Sequence, residues 1–255
     1  MPGFMTSGFM APGIFAIERQ AARIGRLTMM FLRKLTVLLT LAAGLVLGQA
    51  APGHALTPQQ ELVDKARISF EKLIGSYEFG ELPGYLKRAK AVMIFPDLFK
   101  AGFVIGGEGG NGVLMVRDPN QGWSQPAFYT LAAGSLGLQV GGQLSETVFT
   151  IMSDKALQAV LNDQMKFGGD MSVAAGPIGK GVGANTTTNL DADVYTFAKT
   201  SGLFGGVSFT GAGILRKNDW NAAYYGPGVL PQQIVIDRKV SNPNTKDLVN
   251  ALSPY

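Results

Sequence analysis

The chain has no cysteine and only one histidine, His54. Without thiols there is no disulfide, no thiolate nucleophile, no Cys-based zinc site and no lipid attached at cysteine. A single imidazole near the N-terminus removes Ser-His-Asp and Cys-His catalysis, and most transition-metal sites, from everything after it. Charge is sparse as well, at 16% of residues. The formal net charge of +4 comes from residues 1–55, where Arg19, Arg23, Arg26, Arg33 and Lys34 face only Glu18. Residues 56–255 hold equal numbers of acidic and basic side chains, so no nucleic-acid partner is expected. The longest apolar run, residues 35–47, falls short of the roughly 20 residues that a membrane-spanning helix needs.

That run does have the layout of a secretory signal peptide. Arg33-Lys34 precede it, and small residues two apart lead to Gly53-His54-Ala55. The expected segments are 1–28 as an upstream extension with the start at Met29 or Met30, 29–55 as signal peptide, and 56–255 as a single domain. Cleavage is expected after Ala55, with Ala50 as the second option, and no twin arginine diverts the chain from the general secretory route. The mature protein is therefore expected in the periplasm or outside the cell.

Glycine is what the chain has in excess, 34 residues with no G-X-Y period. It is densest in Gly106-Gly107-Glu108-Gly109-Gly110-Asn111-Gly112, between the apolar runs 103–105 and 113–116. Glycine and asparagine tolerate positive φ, so this stretch predicts a β-hairpin reversing within it. Gly107, Gly109 and Gly112 also fit G-x-G-x-x-G. That fingerprint needs a long helix after it, and here four apolar residues run into Arg117-Asp118-Pro119-Asn120. No nucleotide cofactor is expected.

Thr57-Pro58-Gln59-Gln60 predicts a helix start, with Gln60 placed to bond back to the cap. Leu62, Val63, Ala66, Phe70, Leu73 and Ile74 share one face up to Gly75, suiting a core or, as the alternative, a membrane surface. A short helix over 82–90 and a strand over 91–95 follow, the strand interrupted by Pro96-Asp97. Further strands are expected at 127–131, 136–140 and 147–152, broken by 119–122 and Gly134. Gly141-Gly142 is either a turn or a close-packing site within one strand. Ser153-Asp154 predicts a helix carrying Ala156, Leu157, Val160 and Leu161. Strands are expected at 171–175, 182–188, 193–198 and 207–215, a helix at 218–225, an apolar segment at 234–236 and a last helix at 244–252. Gly134-x-x-Gly137, Gly176-x-x-Gly179 and Gly202-x-x-Gly205 enter strands alike, through duplication or through shared turn grammar. The expected class is α+β: a strongly curved antiparallel β-sheet or barrel-like sandwich with a few flanking helices.

Several segments, in order and at compatible spacing, resemble the SYLF domain family. They are Leu82-Pro83 with Leu86-Lys87-Arg88-Ala89-Lys90-Ala91, Lys100-Ala101-Gly102-Phe103, Gly109-Gly110-Asn111-Gly112 and Trp123-Ser124-x-Pro126. Val173-Ala174-Ala175-Gly176-Pro177-Ile178-Gly179 and the stretch from Tyr195 through Lys199-Thr200-Ser201-Gly202 to Ser208 complete the match, over roughly 60–225. The resemblance implies lipid binding, with phosphoinositides as ligands and actin as a partner of eukaryotic relatives. Carried over, it implies that Lys87, Arg88, Lys90 and Lys100 bind lipid head groups, with Lys65, Arg67 and Lys72 as weaker candidates. Phe79, Leu82, Tyr85 and Phe99 are the candidates for apolar insertion.

The expected partner is an anionic phospholipid membrane surface, and actin is not expected to meet an exported protein. Four cations near such a surface contribute about 4 kcal/mol at best, a dissociation constant of about 1 mM, so apolar contact must add to them. A self-associating scaffold of the cell envelope, a homo-oligomer joined through strand edges, is the alternative. No enzyme activity is expected. Ser69-x-x-Lys72, Ser153-Asp154-Lys155 and Lys199-Thr200-Ser201-Gly202 fall in the order of penicillin-recognising serine enzymes, but the later motifs have a wrong third residue. Asp191 and Asp193 alternate on a strand and are read as solvent-facing acids, so no metal site is expected.

Overall fold

The computed structural model describes residues 56–102, 105–136, 141–167, 171–176, 192–202 and 211–255. The segments expected as upstream extension (1–28) and signal peptide (29–55), with His54, Asp191 and the strand expected at 182–188, lie outside them. Thr57 opens helix α1 (Pro58–Ile74): its hydroxyl accepts the backbone N–H of Gln60 at 3.2 Å. Gln60 itself turns to tertiary partners. Its amide donates to Asp64 and to the carbonyl of Asn244, and its oxygen accepts the Tyr224 hydroxyl. Leu62, Val63, Ala66, Phe70 and Leu73 are all buried, so this apolar stripe covers a core. A 3-10 turn (Tyr77–Phe79) leads to α2 (Leu82–Arg88).

The sheet then begins with β1 (Ala91–Gly102) and β2 (Ile105–Asp118). They form the expected hairpin, but Gly106–Gly112 do not turn the chain. Gly102 already pairs with Gly106, and β2 runs extended through every glycine. The physical reason is packing. A Cβ at Gly112 would stand 2.7 Å from the Ile94 carbonyl oxygen and against the Phe95 ring, and one at Gly110 would collide with the Asp97 carbonyl. These glycines admit neighbours instead of turning the chain. Pro96-Asp97 do not interrupt β1 either. A bulge there absorbs the proline, shifting the register between Ile94 and Phe99 against β2.

The remaining strands are β3 (Gly122–Trp123), β4 (Ala127–Leu136), β5 (Gly141–Ile151), β6 (Val173–Ala175), β7 (Val194–Gly202) and β8 (Gly213–Arg216). Gly134 does not break β4, because it pairs with Gly107, and Gly141-Gly142 lie within β5 opposite Gly102 and Ala101. Residues 137–140 and 207–210, expected as strand, are outside the described residues. Helices α3 (Asp154–Leu161), α4 (Asn218–Tyr225), α5 (Pro231–Val235) and α6 (Lys246–Leu252) complete the chain. The segment 234–236 thus belongs mostly to a helix.

Strand order is β6-β7-β5-β1-β2-β4-β8, with β3 beside β2. The sheet is mixed, not purely antiparallel, since β6 runs parallel to β7. It curves strongly into a half-barrel. At one end its edges are linked, because Lys166 bridges Gly213 of β8 and Phe167 bridges Met171 just before β6. Leu56–Tyr255 is one compact unit.

Alternation along the strands feeds two cores. The inner face carries Met93, Phe95, Leu98, Leu114, Tyr129, Phe149 and Ile214 against α3, α5, Met165 and Phe167. The outer face carries Val92, Ile94, Val113, Met115, Phe128, Val148 and Phe197 against α1, α2 and α6. Asn221 on α4 finishes the edge of β4: its Oδ1 accepts the Phe128 N–H at 2.8 Å and its Nδ2 donates to the Phe128 carbonyl.

Candidate functional site

The four basic residues expected to act together fall into two groups. Lys87 and Arg88 close α2 just before β1 starts, and Lys100 sits near the far end of that strand. Ten residues at about 3.3 Å each put Lys90 and Lys100 roughly 30 Å apart. Lys87 and Arg88 are exposed and enter no ion pair among the described residues. The Arg88 guanidinium lies 4.9 Å from the Tyr85 ring centroid and donates to the Gly84 carbonyl at 3.2 Å. Lys90 is half-buried and pairs with Asp154 at 2.9 Å.

The weaker candidates are all paired. Lys65 bridges Glu61 and Asp97, Arg67 holds Glu71 at 2.8 Å, and Lys72 reaches Glu146 at 2.7 Å. The hydrogen bonds that the Lys65 ammonium donates to Glu61 and Asp97 hold it above its ordinary pKa.

Sequence reasoning missed two cations at the Lys87 end. The Arg117 guanidinium donates to the Lys87 carbonyl, and its backbone N–H donates to the Lys90 carbonyl at 2.8 Å. Arg238, in a left-handed conformation (φ 52°), donates to the Gly122 carbonyl at 2.7 Å and to Val116. Arg117 comes beside Lys90 through the β1–β2 register, Ala91 opposite Val116, and Arg238 reaches the same end of β2 from the segment after α5. No local sequence signal carries that.

The apolar candidates divide as well. Phe79 and Leu82 are corrected: they are 2% and 0% exposed, inside the outer core, where an inserting side chain cannot stand. Tyr85 is half-buried, its ring 4.5 Å from that of Tyr195. Burial, followed by the neighbouring Tyr195, raises its hydroxyl pKa. Phe99 is 54% exposed on the outer face, opposite Leu144, itself 43% exposed. Leu144 was not foreseen, because one exposed leucine in a strand has no sequence signature.

Asp193 is an internal tie. Its carboxylate accepts from the Ser153 hydroxyl at 2.6 Å and from the backbone and hydroxyl of Ser172. Burial alone would raise its pKa, but these hydrogen bonds outweigh it and hold the group below the usual range. Among the described residues no cluster of three or more metal-ligating side chains occurs.

Residues 132–255 match the family model described as Ysc84, Las17-binding protein actin regulator. The chain is 34% identical over 173 residues to Protein YSC84 of Saccharomyces cerevisiae, covering 67% of this chain and 37% of that protein. It is 28% identical over 171 residues to SH3 domain-containing YSC84-like protein 1 of Homo sapiens, 67% of this chain and 50% of the human one. Against the Xenopus laevis protein of that name the identity is 27% over 175 residues, with 68% and 52% covered. The chain belongs to the SYLF (Ysc84) family. It spans about half the length, or less, of these curated relatives, and no solved structure matches it.

Proposed function

We propose that this protein is an exported SYLF-type lipid-binding protein that docks on anionic phospholipid or phosphoinositide-like head groups. The observation that carries the proposal is the exposed Lys87–Arg88 pair, outside every described ion pair and joined by Arg117 at one end of the sheet. Three such cations contribute about 3 kcal/mol at an anionic surface. That is weaker than a 1 mM complex, so apolar contact has to supplement it. Phe99 and Leu144 stand on the same outer side as α2 and supply that contact. A membrane is a plane, and patches roughly 30 Å apart along one strand can meet it together. Residues 29–55 act as signal peptide in this reading, and the protein works without catalysing a reaction. The actin role in the family description is not extended to this chain, since an exported protein meets no actin.

Vesicle co-sedimentation at low salt tests the docking. The wild type is expected to prefer anionic over zwitterionic vesicles. Replacing Lys87, Arg88 and Lys90 by alanine should weaken binding roughly a hundredfold, at about 1 kcal/mol per cation, and flatten its salt dependence. Equal binding to both vesicle types, or no change in the triple variant, would remove the basic end from the account. Export is checked separately by N-terminal sequencing of the cell-envelope fraction, where the first residue is expected to be Leu56.

A further inference from the structure

Lys100 left the basic cluster for a setting of its own. On the inner face, past Phe95 and Leu98, the strand register lines up Gln143 of β5, Lys100 of β1 and Glu108 of β2 in one cross-strand row. Below Gln143 on the same face of β5 stand Ser145 and Thr147, both buried. Between Gly106 and Gly112, alternation makes Glu108 the only side chain that β2 turns inward. The Glu108 side chain is 5% exposed and that of Lys100 16%, yet their charged atoms are 4.0 Å apart, beyond hydrogen-bond contact. The Oε1 of Gln143, a residue 3% exposed, is buried with no hydrogen-bond partner among the described residues. Among the described residues the buried carboxylate has no close donor and the amide oxygen has none, a costly arrangement in a folded protein.

We propose that Lys100, Glu108 and Gln143 form a binding site for a small zwitterion that carries a primary ammonium and an anionic oxygen group on one short chain. The row supplies one positive charge, one negative charge and one orphaned acceptor. An anionic oxygen answers the Lys100 ammonium, while N–H donors answer Glu108 and Gln143 Oε1. The two protein charges cancel, so a ligand of zero net charge enters without leaving an uncompensated buried ion, whereas a simple anion or cation would. A trimethylated ammonium has no N–H and leaves both acceptors unmet. The same chemistry occurs in a free phosphoethanolamine diester and in the corresponding lipid head group.

Isothermal titration calorimetry of the full chain with glycerophosphoethanolamine tests the site without a membrane, so its result is independent of the basic-end docking. Saturable binding is expected, at least tenfold tighter than binding of glycerophosphocholine, glycerol 3-phosphate or ethanolamine. Glu108→Gln and Lys100→Met are each expected to weaken it tenfold or more. Gln143→Leu, which removes the orphaned oxygen with little change in volume, should weaken it less while the protein stays folded by circular dichroism. Vesicles of phosphatidylethanolamine that compete with the soluble probe would assign the site to lipid; competition by free probe alone would assign it to a small solute. No saturable binding, equal binding of the choline analogue, or indifference to all three substitutions would overturn the proposal.

Discussion

The two ends of this sheet are built from different materials. At the end holding Ala91, Val116, Ile151 and Val194, both faces are sealed by apolar side chains, and helices α1, α2 and α3 pack against them. At the other end, the row of Gln143, Lys100 and Glu108 faces inward, and the outward face offers Phe99 and Leu144 to solvent. The first end supplies stability. The second leaves polar groups buried without full satisfaction, which a fold maximising stability alone would not retain.

Substitutions can break or sharpen that contrast. The largest loss is expected from Phe149→Ala in the inner core, where the ring stacks on Phe167 at 5.1 Å and meets Phe95 edge-on. A cavity there should cost about 3–5 kcal/mol in chemical denaturation. If the loss stayed under 1 kcal/mol, the sealed end would not be the stabilising one.

Gly112→Ala comes next, at about 1–3 kcal/mol, because the added methyl meets the Ile94 carbonyl and the Phe95 ring. Gly107→Ala, whose nearest neighbour is the Ala133 carbonyl at 3.8 Å, should change stability by no more than about 0.5 kcal/mol. Equal effects at the two positions would mean that the glycines serve something other than close packing.

The smallest effect is one of pH, and the two ends should give opposite signs. Burial raises the Glu108 pKa, only partly offset by Lys100. Its folded pKa exceeds the unfolded one, so the contribution is full below the ordinary carboxylate range and is lost as pH rises through the raised value. Asp193, held low by Ser153 and Ser172, contributes above its unfolded pKa and loses that contribution as pH falls through the depressed one. Denaturation midpoints against pH should therefore show Glu108→Gln stabilising the ligand-free protein at neutral pH and Asp193→Asn destabilising it. The same sign for both would contradict the geometry of one of the two sites.

Much of the fold was legible because periodicity and caps are local. Thr57 and Ser153 mark helices that start where they stand, and the helix expected at 218–225 has those bounds. The glycine run misled because its composition is the same for a turn and for a strand making room for Phe95 and Leu98. Phe79 and Leu82 misled because an apolar residue beside a basic cluster looks alike whether it faces lipid or core. The basic residues are adjacent in sequence, but an extended strand separates Lys90 from Lys100 and pairing brings in Arg117.

By itself the sequence determined the class of the fold, the start of each capped helix, the family, and the chemistry that lacking thiols and imidazoles rules out. Only the tertiary structure decided which charges stand together. A strand's alternation says that Lys100 and Leu98 share a face, but whether Glu108 and Gln143 join them depends on register across three strands. That register is set by packing between residues far apart in the chain.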